Sequence, residues 1–447
     1  MYSLIVIHGY VPNDFGIGTI VPVPKETINA KNNCTSNYRP ITIIPIIAKL
    51  FEMLLLELVP ELKISSNLQY GFKEGLGCRN ALFLLSKITD HFNSRGSNIY
   101  IASMDASKAF DRVNHYELFL AMYDRGISNV FISIISNWYL KLRATVRWSN
   151  EYSSIFNIHS GVLQGGVLSP LLFNIYVDNL LHVLEKSNFG CHLYGEYVGC
   201  IMYADDLLLL SASVIDLQKM LNICSQEALK LGIKFNPNKS KLLCVGPIKL
   251  NKSNNVKIGD DKLEWCTEFK YLGINFKSDK SLSVDLTECR RKFFSAANRI
   301  LAKTKFCNEM VKLYLIENYC LPLLTYAIES LPIKDKQLKE INSWWNSIYR
   351  ILFNYNKWES VSELIFYLGR LNFKSTYILQ HISFVKNSVE RCLNPKFNKI
   401  VTNYAKESKC ISILQRNFIS IEWNVNKIKN IMYQNFKDKV VKQSIIM

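Results

Sequence analysis

Asp205 and Asp206 are adjacent carboxylates inside Gly199-Cys-Ile-Met-Tyr-Ala-Asp-Asp-Leu-Leu-Leu-Leu210, a run that otherwise reads as buried strand. An ionised aspartate in apolar surroundings costs several kcal/mol unless it is paired or holds a cation, and two neighbours raise each other's pKa until one binds a proton. A bound divalent metal ion removes both difficulties. The same residues also suit a plain β-turn, with Asp-Asp joining two strands and no chemistry attached. A third carboxylate, Asp105, closes the short apolar strand Ile99-Tyr-Ile-Ala-Ser-Met104.

The elements around these carboxylates decide whether they can meet. Asp111-Arg-Val-Asn opens a helical stretch through Leu120. Leu168-Ser169-Pro170 starts another helix, with Ser169 as candidate N-cap and Pro170 in the first turn. Leu217 to Leu231 is an amphipathic helix, and Lys241–Val245 and Tyr271–Phe276 read as strands. Strand, helix, strand pair, helix, strand is the split βαβ order of a ferredoxin-like sheet, giving an α+β fold class. In that order the first strand lies beside the hairpin, so Asp105 can reach Asp205 and Asp206. The arrangement suits two magnesium ions about 3.5–4 Å apart, with Asp105 and Asp205 bridging them and Asp206 more peripheral. Asp111, six residues on, reads as a helix N-terminal charge rather than a ligand.

Residues 1–30 are rich in β-branched residues and proline, and Gly18-Thr-Ile-Val-Pro-Val-Pro-Lys25 reads as a strand followed by a lysine-bearing loop. Residues 29–37 are polar and loop-like; Ile41 to Leu58 starts extended and turns helical near Ile46. From Ser283 onward helical periodicity dominates.

A chain of 447 residues with 49% apolar and 20% charged residues has ample core material for two or three domains and little scope for extensive disorder. No apolar stretch reaches transmembrane length and no secretory signal is visible, so an intracellular protein without membrane contact is expected. The 12 cysteines include no Cys-x-x-Cys pair, which excludes the common zinc-ribbon spacings and favours reduced, buried thiols. The net charge of +17 is unevenly placed: residues 1–230 carry 18 Lys and Arg against 19 Asp and Glu, residues 231–447 carry 36 against 18. A neutral half bearing the carboxylates and a basic half suit a catalytic unit joined to one that grips a polyanion.

Seven motifs then occur in order: Asn37-Tyr-Arg-Pro-Ile-Thr-Ile43, Gln69-Tyr-Gly-Phe-Lys-Glu-Gly75, Met104-Asp-Ala-Ser-Lys-Ala-Phe-Asp111, Gly161-Val-Leu-Gln-Gly-Gly-Val-Leu-Ser-Pro170, Tyr203-Ala-Asp-Asp206, Asn236-Pro-Asn-Lys-Ser240 and Tyr271-Leu-Gly273. In order and spacing they resemble the reverse transcriptase of non-LTR (LINE-type) retrotransposons over about residues 5–280. The resemblance implies a right-hand polymerase: residues 1–98 as N-terminally incomplete fingers with part of the palm, 99–280 as the ferredoxin-like palm, and 281–447 as a basic helical thumb and C-terminal region. It implies an RNA-directed DNA polymerase using two Mg²⁺ ions, which Mn²⁺ can replace. An RNA template, a DNA primer or nicked target DNA, and dNTPs would be its partners, with endonuclease activity supplied elsewhere.

The resemblance also assigns roles. Lys25 and Arg39 contact the incoming triphosphate. Gln164 and Gly165 line the nucleotide and template pocket, the glycine permitting close backbone approach. Lys239 protonates the leaving pyrophosphate, and Tyr271, Leu272 and Gly273 form the primer grip. Phe110, five residues after Asp105, is similar to the aromatic gate that fills the space of a ribose 2′-hydroxyl, which favours dNTPs; by composition alone it would be core packing. A second reading is a catalytically silent nucleic-acid-binding relic of a retroelement, suggested by the short segment before the first matched strand.

Overall fold

The computed structural model describes residues 1–25, 35–248, 255–407 and 425–446. Its central sheet has five strands in the order Glu264–Trp265, Lys241–Val245, Ile99–Asp105, Asp206–Ser211, Cys200–Tyr203. Ile99–Asp105 is antiparallel to both of its neighbours, Asp206–Ser211 and Lys241–Val245. The expected order, with the first strand beside the hairpin, is therefore present.

Both faces of this sheet are buried, which explains why the hairpin reads as an unbroken apolar run rather than an alternating one. Ala102, Met104, Leu207, Leu209, Cys200 and Met202 face one core. Ile99, Ile101, Leu208, Leu210 and Ile201 face the other. Helices Ser169–Ser187 and Val214–Lys230 cover the first face through residues such as Leu172, Leu180, Leu217 and Leu221. Helix Cys78–Asn93 covers the second with Ala81, Leu82, Leu85 and Ile88. Fully burying a leucine contributes roughly 1.5–3 kcal/mol, so the four leucines 207–210, each at most 1% exposed, anchor the hairpin firmly.

A second sheet runs Tyr38–Ile43, Ile17–Pro24, Arg143–Trp148, Glu151–Tyr152. Ile17–Ile20 pair in parallel with Arg143–Val146. Pro22 and Pro24 fall beyond that paired stretch, so their missing N–H groups cost no ladder bond on that side. Lys25 ends this segment, and residues 26–34, which include part of the polar loop, lie outside the described residues.

The chain begins with a short helix, Tyr2–His8, and the strand expected at Gly18–Lys25 is present as Ile17–Pro24. Three local expectations are corrected. The helix after Asp105 starts at His115, where Asn114 accepts from the backbone N–H groups of Tyr116 and Glu117; Asp111 lies earlier, in a 3₁₀ turn. Ser169 does not cap its helix. Glu52, buried on helix Ile46–Leu58, accepts from Val167 N–H at 2.8 Å instead, serving the helix start from outside the local sequence. Tyr271–Phe276 is not one strand but a hairpin, Glu268–Tyr271 and Ile274–Ser278, in a separate three-stranded sheet.

From Thr287 the regular elements among the described residues are helices. Trp344 and Trp345, on helix Asp335–Leu352, are buried with Phe293, Leu313 and Tyr349. Arg370 makes two hydrogen bonds, 2.7 and 3.1 Å, to the Glu317 carboxylate. Later helices return to the central sheet: Phe384, Phe397 and Tyr404 all contact the Phe83 ring and share the core of Ile99 and Leu208. The core is thus not divided near residue 280.

Candidate active site

Tyr203 pairs with Asp206, leaving Ala204 and Asp205 as a two-residue turn in which Ala204 has φ +56°. Asp206 is also in register with Asp105 across the adjoining strand. The two carboxylates thus leave the sheet side by side, with Asp205 in the turn beside them. Directly opposed residues of an antiparallel pair have Cα atoms about 4.5–5.5 Å apart.

Gln69 holds this turn, a role its motif gave no reason to expect. It is fully buried; its Oε1 accepts from Ala204 N–H at 3.0 Å and Gly71 N–H at 2.9 Å, and its Nε2 donates to Ala204 C=O at 3.3 Å. Tyr70 N–H donates to Met202 C=O and Met202 N–H to Leu68 C=O, so residues 68–70 lie along the hairpin as an added edge. A Cβ on Gly71 would stand 2.5 Å from Ala204 N, which explains the glycine.

The carboxylates sit at a cost. Burial pushes Asp205 above the usual carboxylate range, and the charge of Asp105 adds to this while Arg39 opposes it. Asp206 keeps solvent access at the cleft floor, yet the surrounding protein, then Asp205 and Asp105, push it up to about 6. Lys239 Nζ lies 3.8 Å from Asp105 Oδ2. Its turn is strapped to the strand end: Asn236 N–H donates to Asp105 C=O at 2.8 Å, and Asp105 N–H to Ser240 Oγ at 3.2 Å.

These groups form the floor of a cleft of about 1340 Å³ between the two sheets. Lys25, Arg39, Phe110, Gln164, Gly165, Lys239 and the three aspartates all line it. Phe110 stacks on Phe173, centroids 4.3 Å apart, and meets Phe72 edge-on at 6.2 Å. It is half-buried, so it both packs and faces the cleft. Phe72, at φ +57° and 47% exposed, is a cleft residue the sequence did not reveal.

Asp111 has a positioning contact in place of a helix-terminal one: its Oδ1 accepts from Gln164 Nε2 at 2.9 Å. Gly165, at φ +132°, would carry a Cβ 2.3 Å from Thr42 C=O, while Thr42 N–H donates to Gln164 C=O at 2.6 Å. Its glycine is therefore required by the neighbouring strand, whatever else approaches it.

Tyr271, Leu272 and Gly273 do not line the cleft. Leu272 and Gly273 form the positive-φ turn of their hairpin, and Tyr326 O–H donates to Leu272 C=O at 3.0 Å. Tyr271 is buried, and the charge of Asp206 contributes, after burial, to raising its pKa far above the usual phenol value.

Among the described residues no three Asp, Glu, His or Cys side chains form a ready-made ion cage. The donor chemistry nevertheless fits hard cations. Three carboxylates gathered at one floor, two of them (Asp205 and Asp206) raised by burial first and by neighbouring negative charge after it, suit Mg²⁺, which takes one or two carboxylates and completes its shell with water and substrate phosphates.

Residues 23–276 match the protein family described as reverse transcriptase (RNA-dependent DNA polymerase). The chain is 27% identical over 285 residues to the Pol polyprotein of the type-2 retrotransposable element R2DM of Drosophila melanogaster, covering 61% of this chain and 26% of that protein. It is 24% identical over 369 residues to a probable RNA-directed DNA polymerase from the Drosophila melanogaster transposon X-element, covering 79% and 39%. The chain thus spans less than half the length of these curated relatives. It is also similar to the solved structure of Candida tropicalis telomerase in complex with a TWJ fragment of telomeric RNA, at 12% identity and a TM-score of 0.47, over 95% of this chain and 65% of that one.

Proposed function

This chain belongs to the reverse transcriptase family, related to the polymerases of non-LTR retrotransposons, and we propose that it copies retroelement RNA into DNA by metal-dependent nucleotidyl transfer. The observation that carries this reading is the register of Asp206 with Asp105, with Asp205 in the turn, on the floor of a cleft that also gathers Lys25, Arg39, Phe110, Gln164 and Lys239.

Asp105, Asp205 and Asp206 would hold two Mg²⁺ ions. When bound, such ions supply Lewis acidity toward the attacking 3′-hydroxyl and the leaving pyrophosphate. The chain's own groups do the rest. Arg39 and Lys25 neutralise the triphosphate. Lys239, held near Asp105, gives a proton to the pyrophosphate oxygen as the P–O bond breaks. Phe110, fixed between Phe173 and Phe72, closes the volume that a 2′-hydroxyl would need. Asp111 orients the Gln164 amide toward the nucleotide and template.

In this reading the central sheet is the palm, the outer sheet with residues 1–98 belongs to the fingers, and the helices from residue 281 form a basic thumb. Single-stranded RNA and a DNA primer or nicked target DNA would be the macromolecular partners. Extension of oligo(dT) on poly(rA) with dTTP and Mg²⁺ tests the reading. Labelled product is expected. A folded chain that binds the primer–template but never extends it would instead be the silent nucleic-acid-binding relic.

A further inference from the structure

The cleft has an aromatic outer wall that none of the roles above uses. Trp148 is 54% exposed, and its ring meets that of Tyr38 edge-on at 5.3 Å and 73°. Both line the same cleft as the aspartates. They come from the strands that flank Ile17–Pro24 on either side, so the rings meet above that strand. Continuing the register Ile20↔Val146 by two residues sets Pro22 level with Trp148. Proline restricts the backbone beneath the rings, and the edge-on contact fixes Trp148 while leaving much of its surface in solvent.

The placement relative to the floor is equally specific. Thr42 is bonded to the Gln164–Gly165 backbone at the inner end of the strand Tyr38–Ile43. Tyr38 lies four residues further out, roughly 13 Å at strand spacing. Arg39 is exposed between them, and Lys25 is exposed at the end of the adjacent strand. A wall that runs from a polar floor to a half-exposed tryptophan at the cleft's outer end suits an unpaired nucleobase.

We infer that Trp148, braced by Tyr38, is a stacking platform for an unpaired template base a few nucleotides 5′ of the templating position. This rests on the reading of the cleft as a polymerase site. It adds a contact on the bases of the entering strand, independent of their identity because every base presents a π-face.

The test is equilibrium binding of the full chain to primer–templates, followed by fluorescence anisotropy without dNTPs. Two templates are compared, one with a six-nucleotide 5′ RNA overhang and one whose overhang carries abasic residues with the same phosphates. Wild type should bind the base-bearing overhang about tenfold more tightly than the abasic one. Trp148→Ala should abolish that difference with little change in abasic-overhang affinity, and Trp148→Phe should keep most of it. Equal wild-type binding to both overhangs, or an undiminished difference in Trp148→Ala, overturns the proposal. Since no catalysis is involved, a chain that fails to extend primers yet shows the Trp148-dependent difference discards the polymerase reading and keeps the platform. A chain that extends but lacks the difference does the reverse.

Discussion

Gln69 satisfies both backbone polar groups of Ala204 with one buried amide, and so fixes the left-handed residue that sits between Tyr203 and the two aspartates. A non-glycine residue at positive φ costs roughly 1 kcal/mol or more, and persists only where its surroundings determine it. Here the surroundings are a single side chain and the edge Leu68–Tyr70.

Gln69→Ala should therefore leave Ala204 N–H and C=O and Gly71 N–H buried without partners, at about 1–3 kcal/mol for each unsatisfied group. The hairpin turn, carrying Asp205, should lose its definition first. The expected result is a fall in kcat of at least about tenfold with primer–template affinity held within twofold or so, because every cation that meets a phosphate stays in place. Unchanged kcat in a folded variant would show that the strand register alone positions the aspartates.

Asp205→Asn keeps shape but removes a ligand charge. Extension should slow by at least about a hundredfold, roughly 2.7 kcal/mol on the barrier, and higher Mg²⁺ should recover only part of it. Wild-type extension rates by this variant would sink the metal assignment.

The central sheet is legible in the sequence because its cue is period and length: Ile99–Met104 is an apolar run closed by Asp105, Cys200–Leu210 is one interrupted only at its turn by Asp205 and Asp206, and Leu217–Leu231 after them carries amphipathic spacing. What was hidden depends on contacts distant in sequence. Glu52 braces the turn before a helix that starts 117 residues later at Ser169, through Val167 N–H, and nothing near Ser169 signals it. Gln69 reaches Ala204 across 135 positions. Asp111 looked like a helix charge because only the fold brings Gln164 beside it. Tyr271–Phe276 reads as one strand because Leu272, at φ +45°, is an uncommon residue for a hairpin turn and Gly273 alone is a weak break.

The basic excess of the second half predicts salt-sensitive binding. A truncation at residue 280 would be a poor test, since it strips Phe384, Phe397 and Tyr404 from the core that carries Leu208. Replacing exposed Arg291, Arg299 and Lys303, on helix Thr287–Lys303, with glutamine leaves the cores intact. The slope of log affinity against log salt should flatten by about 0.9 for each phosphate that these cations no longer neutralise. An unchanged slope would assign phosphate binding to another surface.

His381 supplies a pH test far from the aspartates. It is buried, with Nδ1 3.0 Å from Glu329 C=O and Nε2 3.1 Å from Tyr404 Oη; an N–H on Nδ1 donates to the carbonyl, so Nε2 accepts from the phenol. Burial lowers its pKa from 6.5 to about 4. The unfolded chain then binds the proton first as pH falls, so this group's stabilising contribution is present above pH 6.5 or so and is lost down to about pH 4. The loss is at most roughly 3 kcal/mol. Urea midpoints should fall across that window, and His381→Gln should flatten the fall. An equal slope in both proteins would assign the acid sensitivity to other groups.

Sugar selection follows from how Phe110 is held. Its ring lies flat on Phe173 and edge-on to Phe72, so it cannot swing aside to admit a 2′-hydroxyl without breaking both contacts. Phe110→Val opens that volume, while Asp105 stays anchored by its strand and by Asn236 and Ser240. Losing the stacked pair should cost about 1 kcal/mol or more of stability, which a lower thermal midpoint would register. Relative rNTP incorporation, measured as the ratio of kcat/KM for rNTP and dNTP on one template, should rise by about tenfold or more, equivalent to roughly 1.4 kcal/mol of lost discrimination. A lower midpoint with an unmoved ratio, in a variant that still extends with dNTPs, would make Phe110 a packing residue and leave sugar choice to Phe72 or the Gln164 loop.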